Sequence, residues 1–155
     1  MDQTNIVDLY RNATEFTETD DVDFFSLDID GNDLFVLGAL LTSGARPHVI
    51  CVEYNGKFPP PFSISVEYDP NRGWDSDDHF GASLQAFVDQ IVSAGYALVT
   101  CNVTGANAFF VRQDFSDSFP KVEPGDVWRP LRLELCPIPA GHKPSLGFLK
   151  EILKR

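Results

Sequence analysis

Carboxylates crowd one short stretch of this chain, where Asp28, Asp30 and Asp33 fall within Asp28-Ile29-Asp30-Gly31-Asn32-Asp33. Two more oxygen donors, Glu53 and Asn55, follow the apolar run Val49-Ile50-Cys51-Val52. Oxygen-rich sets suit hard divalent cations, for which one or two carboxylates suffice when waters and substrate oxygens complete the shell. Spacing excludes an EF-hand calcium loop. With Gly31 at the sixth position, the twelfth falls on Leu37 and not on a bidentate acid. Asp30, Glu53 and Asn55 remain as a candidate Mg2+ set if their segments meet. The same residue types also cap helices and brace loops, with Asp33 suited to a helix dipole, so spacing leaves both uses open.

His79 is the histidine best placed for chemistry. It lies between acids (Asp77 and Asp78) and a helix start, and an imidazole can act as a general base near neutral pH. A histidine in an acidic loop is also at home in plain solvent. His48 precedes an apolar strand and His142 lies in a Pro-rich tail, and neither suggests a role. Trp74 and Trp128 either line a pocket or pack beneath loops. There is no Ser-His-Asp pattern, phosphate-binding glycine loop or zinc spacing.

The elements that must position these residues read as an α/β series. Ile6, Val7 and Tyr10 have helical spacing after a possible cap at Thr4. Phe24 to Ile29 reads as a strand covered on both faces. Leu34 to Leu41 is an apolar helix closed by Ser43-Gly44, and Val49 to Val52 is a second strand. Residues 56–80 form a long irregular stretch, read as an ordered lid because it carries Trp74, His79 and Phe80. Ser83 caps a helix with Leu84, Phe87, Val88, Ile91 and Val92 on one face. Tyr96 to Cys101 gives a third strand, and a turn at Thr104-Gly105 leads to a fourth, Ala108 to Val111. Trp128 to Leu135 is an edge strand or extended arm, and Leu146 to Leu153 a last helix. Parallel order for the first three strands and an antiparallel fourth follow. Ligands of open parallel sheets bind beyond the carboxyl ends of the strands. That rule gathers Asp28, Asp30, Asn32 and Asp33 with Glu53, Asn55, Asn102 and Thr104, and aims His79 and Ser83 at the same rim.

The 155 residues suit one domain and can bury a real core. Twelve basic residues against 23 acidic ones give a net charge of −11, which argues against nucleic-acid and membrane-surface partners. The charge is lopsided, −14 over residues 1–120 and +3 over residues 121–155. Cys51, Cys101 and Cys136 are odd in number and lack CxxC spacing. The polar start carries no export signal, so the sequons at Asn12 and Asn102 are read as chance and a cytoplasmic setting is expected.

Segments across about residues 20–115 resemble FkbM-related, class I methyltransferase-like proteins. The matching stretches are 24–33, 47–55, Tyr68-Asp69-Pro70, Trp74-Asp75, 80–84, Gly95-Tyr96 and 107–112. The resemblance implies a truncated Rossmann-like fold. Its mostly parallel sheet would have four strands matching the family's fourth to seventh, the last antiparallel in a hairpin, plus a C-terminal arm and helix. The core would be residues 1–115 and the extension residues 116–155. The resemblance also implies that Asp28, Asp30 and His79 are catalytic and that Asn32, Asn55, Trp74, Ser83 and Asn107 bind substrate. Asp30, Glu53 and Asn55 would take the metal. Only some 23 residues, none of them glycine, precede the first strand, too few for the half that binds S-adenosylmethionine. The expectation is therefore a methyltransferase-like domain of small-molecule (secondary) metabolism. It would use S-adenosylmethionine only through a partner, a homodimer or a non-standard site. The alternatives are a non-catalytic binding or assembly module and a minimal metal-assisted enzyme.

Overall fold

Four short strands are held from one side by helices that the apolar spacing made recognisable. The computed structural model describes residues 1–132 and 146–154. Helix α1 (Ile6–Thr17) is started by Asp2, whose carboxylate accepts the Thr4 and Asn5 amides at 2.8 and 3.1 Å. The cap position is Asn5, not Thr4. Strand β1 (Phe24–Leu27) leads into α2 (Asp33–Thr42), and β2 (Val49–Glu53) follows. After the long loop, α3 (Leu84–Ser93), β3 (Tyr96–Cys101) and β4 (Asn107–Arg112) complete the sheet. A 3-10 turn (Gln113–Ser118), the one-turn α4 (Pro124–Val127) and α5 (Leu146–Ile152) come last.

The strand order is β1-β2-β4-β3. Strands β1 and β2 are parallel, and β4 is antiparallel to both β2 and β3. Strands β1, β2 and β3 therefore run in one direction, but a mostly parallel sheet is not what forms, because β4 inserts between β2 and β3. The composition of β4 suits that central place: Ala108 and Phe110 are fully buried on one face, and Val111 is buried on the other. Strand β3 keeps the edge, with Thr100 exposed.

One core lies between sheet and helices. Leu27, Ile50, Val52, Ala108, Phe110 and Leu98 meet Ile6, Val36, Leu37, Leu40, Leu84, Phe87 and Ile91. Phe110 alone would cost about 3–5 kcal/mol if cut to Ala. Strand β1 departs from the expected two-sided burial. It is an edge, pairing only with β2 among the described residues, and Phe24 is 54% exposed. It also stops two residues short of Ile29, because the buried Asp33 takes the Ile29 and Gly31 amides, both at 3.0 Å, and turns the chain.

The expected arm at 128–135 is extended without strand pairing as far as Arg132, and residues 133–135 lie outside the described residues. It crosses the carboxyl-end rim. The Tyr54 hydroxyl donates to the Arg129 carbonyl at 2.8 Å and accepts its amide at 3.2 Å, and the Arg132 amide donates to the Thr104 carbonyl at 2.7 Å. Among the described residues no helix is long and apolar enough to cross a membrane.

Candidate metal centre

Strand register builds the centre. Leu27 faces Val52, so Asp28 and Glu53 come next in line at the ends of two parallel strands. Glu53 also lies directly opposite Asn107 across the β2–β4 pair, and opposed residues share a face. One carboxylate oxygen from each of Asp28, Asp30 and Glu53 lies within 4.8 Å of the others. Asp28 and Asp30 are exposed and Glu53 is half-buried. Asp30 reaches the group from a left-handed backbone, φ 58°, a conformation that Asp tolerates better than most residues.

Three acids so close raise one another's proton affinity. Burial, followed by the charges of Asp28, Asp33 and Asp30, pushes the Glu53 carboxyl up to about 8. Burial and then Asp30 raise Asp28. Burial also raises Asp33, outweighing the amides it accepts. The cluster has two ways to relieve this repulsion: keep a proton, or hold a cation. Three oxygen ligands from two adjacent strand ends suit a hard divalent cation.

Asn55, expected in the metal set, is engaged elsewhere, and Asp28 stands in its place. The Asn55 amide nitrogen donates to the Asp78 and Phe80 carbonyls at 2.9 and 3.1 Å, and its oxygen accepts the Lys57 amide at 3.1 Å. Its backbone has already left the sheet to bond Ala82. The signal that could have found Asp28 is register: Asp28 and Glu53 share one offset from paired residues, whereas Asn55 lies two beyond the strand.

The other expected site residues are mostly tied into the long loop. Asn32 donates to the Asp69 carbonyl at 2.7 Å and accepts its amide at 3.3 Å, pinning residue 69 beside the acidic turn. Ser83 caps α3 as its position implied, accepting from Ala86, and it also donates to the Phe62 carbonyl at 2.7 Å. Ser83 is fully buried. The Trp74 indole donates to the Asp77 carbonyl at 2.8 Å. His79 sits outside the carboxylate group, with Nε2 3.7 Å from Glu151 of α5. Asn102 accepts the Ala106 and Asn107 amides and so braces the β3–β4 turn. Of the expected set, Asp28, Asp30, Glu53 and Asn107 come to one place by ligand distance or strand register.

The turn after β1 carries three acids and a single glycine, Gly31, and the space beside Gly31 is filled by Arg72, whose Cδ would stand 2.8 Å from a Cβ there. Compared with known proteins, the chain matches no family model, no curated protein and no solved structure.

Proposed function

We propose that this chain is a methyltransferase-related domain of small-molecule chemistry that holds a divalent cation at the rim of its sheet. S-adenosylmethionine would be held by protein beyond these residues, or at a non-standard site shared with a second copy. The observation that carries the cation is the convergence of Asp28, Asp30 and Glu53 within 4.8 Å from adjacent strand ends. The common direction of β1, β2 and β3, with an antiparallel strand following, supports the methyltransferase-like part.

In this reading Asp28, Asp30 and Glu53 bind the cation, and Asn107, opposite Glu53, is in line to orient a substrate oxygen. A bound Mg2+ or Mn2+ would neutralise charge on such an oxygen and polarise it. His79 stands in the covering loop as the candidate base, outside the carboxylate group.

Calorimetry of the full chain with MnCl2, and separately with S-adenosylmethionine, is the test. Saturable Mn2+ binding that Asp28→Asn weakens at least about tenfold supports the cation site. The absence of Mn2+ binding rejects it. Tight S-adenosylmethionine binding by the lone chain would reject the need for an outside half. The minimal metal-assisted enzyme shares the cation site, and it gains if added cofactor-binding protein never confers S-adenosylmethionine affinity.

A further inference from the structure

Strand β1 ends the sheet on one side and leaves its outer edge open among the described residues. The Val49 amide donates to the Asp23 carbonyl at 2.9 Å, and Phe24 stands opposite Val49 in a parallel pair. The alternation of a parallel ladder then turns Phe25 and Leu27 toward β2, and turns the amides of Phe24 and Ser26 outward. Neither outward amide has a hydrogen-bond partner among the described residues, and both residues are exposed. A bare strand edge is a template for another strand.

Beside this edge runs an apolar groove of about 460 Å3 between α1 and β1, lined chiefly by Met1, Ile6, Leu9, Tyr10, Val22 and Phe25. Tyr10 and Phe25 pack edge to face within it, their centroids 6.1 Å apart. Leu9 is 48% exposed, and Phe16, seven residues on and so on the same side of α1, is 89% exposed. Ile6 seats one side of the helix in the core, and the adjoining side lies open.

The charge around the groove has one sign. Residues 1–28 hold eight acids and a single base, Arg11, for a net −7. Asp21 lines the groove, the charge of Asp20 reaches Tyr10 within it, and Asp23 immediately precedes β1. His48 meets Asp21 and Asp23 and offsets at most one of these charges. A second copy docking edge to edge would set two such acidic segments against each other, because a twofold contact uses the same patch twice. A basic strand meets attraction instead.

We propose that the β1 edge and the α1 groove are a docking surface for an extended segment of another protein, one whose apolar residues alternate with lysine or arginine. Main-chain hydrogen bonds to Phe24 and Ser26 set its register, an apolar side chain enters the groove beside Leu9, and basic side chains face Asp20, Asp21 and Asp23. The acids that keep the free protein from pairing with itself thereby select its partner. The rim cation takes no part in this contact.

Fluorescence anisotropy of the full chain with a short labelled peptide of alternating lysine and valine is the test. A glutamate–valine counterpart and an all-lysine peptide of equal length are the controls. The lysine–valine peptide should bind at least about tenfold more tightly than either, and added NaCl should weaken it. Ser26→Pro removes an outward amide without touching the β2 ladder, and should weaken binding at least about tenfold. Leu9→Ser and Asp20→Asn should each weaken it about threefold or more. Peptide should slow hydrogen exchange at the Ser26 amide and leave that of Phe110 unchanged. Unchanged urea midpoints in the variants separate loss of binding from loss of fold, and Leu9→Ser serves alone if Ser26→Pro does not fold. No binding of the lysine–valine peptide, or binding that Ser26→Pro and Leu9→Ser leave unchanged, overturns the proposal. Equal binding of the all-lysine peptide overturns it too, by reducing the surface to charge. A wild-type dimer in light scattering that Ser26→Pro disperses would give the edge to a second copy, and the basic partner would fall.

Discussion

Glu53 carries the sharpest conflict in the molecule, a half-buried carboxyl facing two other acids with its proton affinity pushed up to about 8. Unfolded, the same group releases its proton near 4.5. Between those values the native protein retains a proton that the unfolded chain has lost. Stability is therefore fully present below about 4.5 and declines as pH rises toward 8. Asp28 and Asp33 are raised and act in the same sense. Allowing for partial exposure, the Glu53 share is on the order of 2 kcal/mol, roughly 5 °C in melting temperature. Urea midpoints at pH 5 to 8.5 without divalent metal should fall, and Glu53→Gln should flatten most of the slope. A slope identical in the variant would show that Glu53 is not its source. Residue types were legible here, but their use was not. Asn55 and Glu53 are both oxygen donors two positions apart, yet the first is consumed by three loop bonds and the second is left facing acids. Only the path of the backbone after β2 decides between them.

At the scale of elements, apolar spacing located β2, β3 and α3 within a residue or two, because each is a run whose burial follows a simple period. The order of the strands was not legible. The pairing of β2 with β4 joins residues more than fifty positions apart, and no local pattern reports it. An extended arm was expected after Trp128, but its anchorage was hidden, since what holds it is space left by glycines. A Cβ on Gly105 would stand 2.2 Å from the Pro130 carbonyl oxygen, and one on Gly56 would stand 2.6 Å from the Gly105 oxygen. Gly105 also has φ 73°, which disfavours a side chain. Gly105→Ala should cost about 1–2 kcal/mol and lift the arm without melting the sheet. Hydrogen exchange checks this at two amides. That of Arg132, bonded to Thr104, should lose its protection, while that of Phe110 within the sheet should keep it. If both slow amides are retained, the arm is not held by close approach to Gly105.

Taken whole, the protein is a two-layer unit with surplus negative charge at both ends of its sheet. Asp28, Asp30 and Glu53 stand at the carboxyl ends of the strands, whereas Asp21 and Asp23 flank His48 at the start of β2, at 2.6 and 3.3 Å. A net charge of −11 destabilises any compact state by self-repulsion, and plain salt relieves it. Stabilisation by MgCl2 is therefore ambiguous until screening is subtracted. At equal ionic strength, NaCl and MgCl2 screen the distributed acids comparably, but only a divalent ion can be held by three convergent carboxylates. The melting temperature should rise in both salts and rise further in MgCl2, by about 2.7 kcal/mol of linkage when free Mg2+ is a hundred times its Kd. Asp28→Asn should abolish the magnesium excess and leave the NaCl response intact, because one charge in a surplus of eleven hardly alters screening. Equal responses to the two salts in wild type would reduce the rim to a patch of mutually repelling acids. An excess that survives Asp28→Asn would move the ion to another part of the surface.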